Sequence, residues 1–267
     1  MSCSIRRRAA APTVLALLAS VVVVVGEPVT VLYRESDARR PLVLRAPGGA
    51  ILARGELTQA VSGARVTTRV VLHFTDGSLH DETVVFSQEK QFRLITDRLV
   101  QRGPAFPRAI DMSIDAAAGE VRVQAAERQG EPGQHVERLA TPPDLANGMI
   151  PTLLKNVRPD APPTSFSLIV ATPKPRLVRL AIVSKGREPG RAAAAEAALH
   201  YVLKVEIGGI AGTLAPLVGK QPPDSHVWIR EGKPPEYVAS EQPFYLGGAL
   251  WRMEPQVSAG AESRPCP

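Results

Sequence analysis

The sequence predicts a mainly β protein: an antiparallel curved sheet or open β-barrel with one packed α-helix at about residues 144–157. Three observations carry this. Apolar residues alternate with polar ones in short segments, the period of a half-buried strand. Turn chemistry separates the segments at intervals of a few residues, too short for crossover helices. One segment alone, after Thr141, switches to four-residue spacing.

The elements follow in order. Val29–Arg34, Leu42–Arg45 and Ile51–Gln59 read as strands, the last two divided by Pro47-Gly48-Gly49. Val66, Thr68, Val70, Leu72 and Phe74 alternate with other residues, many of them polar, and Thr75-Asp76-Gly77-Ser78 then supplies a turn in which Gly77 is able to take positive φ. Leu79–Gln88 returns from it as a hairpin. Phe92–Gln101, Ile110–Asp115, Glu120–Ala126 and Gln134–Leu139 continue the sheet. Thr141 stands as an N-cap with Asp144 three residues on, and Leu145, Met149, Leu153 and Val157 form the stripe of a helix lying on a sheet. Gly148 and Pro151 shorten or kink it. Strands resume at Ser165–Ala171, Arg176–Ser184, Leu199–Ile207, Val227–Arg230, Glu236–Ala239 and Leu250–Glu254. Residues 187–198, rich in alanine, favour helix by propensity but lead into a period-two segment, so their conformation stays open.

The N-terminus carries its own signal. Arg6, Arg7 and Arg8 precede an uncharged, mostly apolar run ending in five valines, and Gly26 offers a small residue for cleavage. Residues 1–26 are expected to be a secretory signal peptide, residues 27–255 a single β-rich domain, and residues 256–267 a disordered tail. The expected location is secreted or periplasmic. The alternative is an inner-membrane anchor made by an uncleaved signal segment, and no further transmembrane span is expected.

Of the formal net charge of +6, three units lie in Arg6–Arg8, leaving +3 on the mature chain. The basic residues are scattered, so nucleic acid is not an expected partner. Cys3 precedes the apolar run and Cys266 stands alone near the C-terminus, so no intramolecular disulfide or cysteine metal site is expected.

Motifs for chemistry fail on inspection. Gly219-Lys220 lacks a glycine at Leu214 and a hydroxyl at Gln221, so it is no phosphate loop. No dinucleotide fingerprint, serine elbow or zinc spacing occurs. No cofactor, metal or catalytic residue is therefore expected. His73 and His80 flank the Asp76-Gly77 turn with Asp81 and Glu82 nearby, a carboxylate–histidine group that could bind a metal or move a proton but is read as a solvated hairpin tip, since exposed turns collect such residues. Asp111 and Asp115 share a strand face across Ser113, an ordinary placement for acids near a turn.

Two features remain for function. Trp228, Tyr237, Phe244, Tyr245 and Trp251 hold five of the twelve aromatic residues in a short span. They either plug one end of the β-core or line the mouth of a pocket for an apolar ligand. Gly208, Gly209, Gly212 and Pro216 lie in an apolar run too short to cross a membrane. They mark either a backbone bend or a mobile loop over a cavity.

Three stretches, FSQEKQFRLITDRLVQRGPAFP (Phe86–Pro107), PPDLANGMIPTLLKN (Pro142–Asn156) and VEIGGIAGTLAPLVGKQPPDSHVWI (Val205–Ile229), resemble an uncharacterised family of exported bacterial proteins. That resemblance implies no activity and no catalytic residues. At the level of fold, long antiparallel strands with one inserted helix are similar to the curved sheets of periplasmic lipid and lipoprotein carriers. The expected function is a non-catalytic envelope binding or carrier module for an apolar or amphipathic ligand. The alternative is a structural or protein-interaction component of the envelope, and a hydrolase of unrecognised type is the third.

Overall fold

The computed structural model describes residues 26–125, 133–158, 160, 164–170, 175–189, 197–206 and 222–256. Fourteen antiparallel strands form one curved, unclosed sheet. The first meander is β1 (Ala38–Arg45), β2 (Ile51–Ser62), β3 (Arg65–Phe74), β4 (Leu79–Gln88), β5 (Phe92–Arg102), β6 (Ile110–Asp115), β7 (Glu120–Ala125) and β8 (Gly133–Arg138). The second is β9 (Thr164–Val170), β10 (Arg176–Glu188), β11 (Ala198–Glu206), β12 (Ser225–Arg230), β13 (Glu236–Pro243) and β14 (Leu250–Pro255). They join where β1 pairs with β14, Leu44 opposite Met253, so the first and last strands meet in the middle of the sheet. The free edges are β8 and β9.

The predicted alternation sets the inner face. Val66, Val84, Phe86, Met112, Ile114, Val121 and Val123 are buried there around Met149, Leu153 and Leu154. The hairpin at Asp76-Gly77 forms as predicted: Gly77 has φ 86°, and Asp76 Oδ1 accepts the Ser78 N–H at 2.9 Å.

Two predicted elements differ. Val29–Arg34 is not a strand: its backbone makes an isolated bridge, Thr30 to Gln91, flanked by bonds to Lys90 and Phe92, and the Leu32 and Tyr33 N–H groups then donate to Asn156 Oδ1. The helix predicted over Asp144–Val157 is reduced to α1 (Ile150–Leu154). Gly148 at φ 62° stops any helix before it, and Thr141 donates to the Ala116 carbonyl instead of capping. Asp144 accepts the Ser167 hydroxyl, and the 144–147 backbone lies along β9 through Ala146 N–H to Ser167 C=O at 2.9 Å. The Asn147 amide then bonds both backbone groups of Ile169, at 2.8 Å each, as another strand would. Part of the exposed edge of β9 is thereby covered, which relieves the hazard of an open sheet edge. Leu145, Met149 and Leu153 are still buried at 4%, 1% and 4% exposure, so the apolar stripe faces inward without being a continuous helix.

Candidate functional site

A cavity of about 350 Å³ lies inside the curve, between the sheet and the segment from Asn147 to Lys155. Its apolar wall includes Leu42, Leu57, Val70, Leu99, Ile150 and Met253. Arg40 lines it while remaining exposed, which marks an opening to solvent. Lys155 of α1 forms an ion pair with Glu35 on the same wall, and Gln59 donates to the other Glu35 oxygen at 3.1 Å.

The opposite end is polar, built by neighbouring strands β4 and β5. Gln101 Nε2 lies 3.1 Å from His80 Nδ1 and donates to the Phe244 carbonyl at 2.8 Å. An amide nitrogen only donates, so Nδ1 must accept and neutral His80 carries its proton on Nε2. Nε2 stands 4.0 Å from Glu82 Oε2. The cross-strand pairs His80–Gln101, Glu82–Leu99 and Val84–Asp97 put all four polar groups on the inner face.

Burial dominates the electrostatics here. It lowers the His80 pKa to about 4, raises Glu82 to about 7, and raises Asp97 well above the usual carboxylate range, with Glu82's charge adding to the last. Glu82 keeps a quarter of its side-chain surface open to the cavity, whereas Asp97 is 1% exposed. Neither Asp97 oxygen makes a well-aligned hydrogen bond among the described residues, and the neighbouring Asn147 side chain only partly offsets the rise. The His80 ring signals should therefore show no titration in an NMR series between about pH 7 and pH 5. A midpoint near 6.5 would mean that the ring is solvated.

His80 is a correction to the solvated-tip reading. It pairs with fully buried Leu72, whereas His73 pairs with Leu79 and points outward. The two histidines are on opposite faces of the hairpin.

The five late aromatics divide among three places. Phe244, Tyr245 and Trp251 join Phe74 and Phe106 at the end of the sheet that carries the β3–β4, β5–β6 and β13–β14 turns. Their ring centroids lie 5.3–6.3 Å apart. Tyr237 lines the cavity with Phe244, its hydroxyl held 2.9 Å from both Ser240 Oγ and the Met253 carbonyl. Trp228 faces the other way, because its neighbours Val227 and Ile229 occupy the core. Gly208, Gly209, Gly212 and Pro216 lie outside the described residues, as do the signal segment and the tail from 257 onward.

Sequence spacing missed a second cluster on the outer face. Glu188 Oε1 lies 2.8 Å from His200 Nδ1, His200 Nε2 lies 2.9 Å from His226 Nδ1, and Trp228 Nε1 donates to Glu188 at 3.1 Å. The His200 and Trp228 rings stack at 4.7 Å and 9°, and Arg252 lies over the indole at 5.1 Å. Twenty-six residues separate the two histidines in sequence, and only the β11–β12 register brings them together. No group of three or more His, Cys, Asp or Glu among the described residues is arranged to hold a metal. Asp111 and Asp115 do not act together: Asp111 pairs with Arg98, and Asp115 accepts the Ala117 and Ala118 N–H groups.

No protein-family model matches the sequence, and no curated protein matches it. Among solved structures, the chain is similar to a β-barrel-like protein of domain of unknown function DUF1849 from Brucella abortus. The identity is 10%, the TM-score is 0.43, and the match covers 83% of this chain and 96% of that one. No helix among the described residues is long and apolar enough to cross a membrane.

Proposed function

We propose that the protein is exported and acts as a non-catalytic binding or carrier module of the cell envelope, holding an amphipathic ligand inside the curved sheet. The cavity carries this reading. Its volume of about 350 Å³ falls within the roughly 300–1,000 Å³ of small-molecule sites, and it combines an apolar wall with a few convergent polar groups. The aromatic cluster of Phe74, Phe106, Tyr245 and Trp251 stands at one end of the interior, and Arg40 marks an opening.

The partner-binding alternative would use the free edge of β8. That strand is six residues long and carries Glu137 and Arg138, the short charged form that resists pairing. The hydrolase reading has least support. Inside the cavity the nearest histidine–carboxylate approach is 4.0 Å, beyond hydrogen-bond reach, and the close His200–Glu188 contact is on the outer face.

Native mass spectrometry of protein purified from its own envelope, followed by extraction, tests the carrier reading. The expected result is one stoichiometric amphipathic small molecule per chain. Protein that stays empty through gentle purification and takes up no alkyl-chain probe would count against a carrier.

A further inference from the structure

The next step rests on the carrier reading and concerns the ligand's head. Glu82 faces the cavity with no cation near it among the described residues: the basic side chains lining the walls are Arg40, exposed at the opening, and Lys155, tied to Glu35. Behind Glu82 on the same inner face lies Asp97, wholly buried, with no well-aligned hydrogen bond to either oxygen among the described residues and only the Asn147 side chain nearby to favour its charge. A buried carboxyl with no partner is costly unless another group supplies one. Beside the pair stand Leu99, Ile150 and the Phe244 ring, which packs roughly perpendicular to His80 with ring centroids 5.1 Å apart.

We infer that the cavity selects an amphipathic ligand with a protonated amine head, the ammonium seated against the Glu82 carboxylate and the chain along the apolar wall. An ammonium supplies the missing positive charge through a charge-assisted hydrogen bond, and an aromatic face favours the same charge. A hard divalent cation such as Ca²⁺ or Mg²⁺ fits poorly, since it takes about six or more oxygen ligands. An anionic head would meet the Glu82 charge.

Glu82's raised pKa, about 7, is what a carboxylate without a counter-charge shows, and a bound ammonium should bring it down. The other charged or titratable groups facing the cavity are His80 from β4, Arg40 from β1, Glu236 and Tyr237 from β13, and Lys155 with Glu35, with Asp97 behind from β5.

Titration calorimetry with n-decylamine, n-decanol and decanoate, one chain with three heads, tests the assignment. At about pH 8 the amine is expected to bind about tenfold or more tighter than the alcohol. That preference should fall to parity in Glu82→Gln, and in the unaltered protein at about pH 5, where Glu82 holds its proton. The second comparison stands if the variant does not fold. Equal binding of amine and alcohol, or tighter binding of decanoate, overturns the amine assignment and leaves the carrier reading intact. Failure of all three to bind overturns the carrier reading and the assignment with it.

Discussion

Replacing Asp97 with Asn raises the stability of the protein at and above neutral pH and removes most of its pH dependence. Asp97 is 1% exposed, makes no well-aligned hydrogen bond with either oxygen among the described residues, and has its pKa raised by burial and by Glu82 against a smaller opposing effect of the Asn147 side chain. The native state therefore keeps a proton that the unfolded chain releases in the ordinary carboxylate range. Stability is fully present below that range and falls as pH rises, by about 1.4 kcal/mol per pH unit, until the native carboxyl ionises. Glu82 acts with the same sign between about 4.5 and about 7. His80 acts with the opposite sign: its pKa is depressed from 6.5 to about 4, so its contribution is lost as pH falls through that window. Those two nearly cancel where they overlap, which leaves Asp97 in control of the slope. Urea unfolding of both proteins at about pH 5 and pH 8 reads the effect. The variant should gain on the order of 2 kcal/mol at the higher pH and much less at the lower. Parallel pH profiles would show that the Asp97 carboxyl has a partner after all.

Gly148→Ala produces a large loss of stability. At φ 62° an added Cβ is strained, and it would stand 2.1 Å from Val84 Cγ2 and 3.2 Å from Glu82 Oε1. Valine is branched and cannot swing away, so either β4 or the 147–149 segment must shift. Strain and overlap together should cost about 2–4 kcal/mol. The same residue forms the cavity wall between Asn147 and Ile150. Binding of an alkyl-chain probe should weaken along with the unfolding midpoint. An unchanged midpoint would mean that the segment is not packed on β4.

The polar end of the cavity was hidden by one bulge. Phe92 and Leu94 are inner residues, and strict alternation onward from them turns Thr96 and Arg98 inward and Asp97 outward. In the sheet, Leu94 pairs with Phe86 and Thr96 with Val85, so Ile95 is the extra residue. The strand rotates there, and Asp97, Leu99 and Gln101 become the inner set. A bulge depends on the partner strand, and nothing in the local sequence of β5 marks its position. The histidine pair is a different case. Alternation alone places His200 on the face opposite Leu199 and Tyr201, and His226 opposite Val227, but the contact between them needs the register of β11 against β12.

The sequence by itself determined the strands other than the one expected at Val29–Arg34, their antiparallel order within each hairpin and the inward direction of the apolar stripe from Leu145 to Leu154. These follow from local periodicity, turn residues and the transfer of apolar surface from water, all written within a few residues of one another. Tertiary structure alone decided the pairing of β1 with β14, the shrinking of the helix to Ile150–Leu154 and the burial of Asp97 behind Glu82. Each of those turns on a long-range contact: Leu44 with Met253, Asn147 with the backbone of Ile169, and Val85 with Thr96 across the bulge. Local propensity proposes a helix from Thr141, but backbone groups exposed at the edge of β9 need partners, and satisfying them outweighs the few tenths of a kcal/mol per residue that propensity supplies.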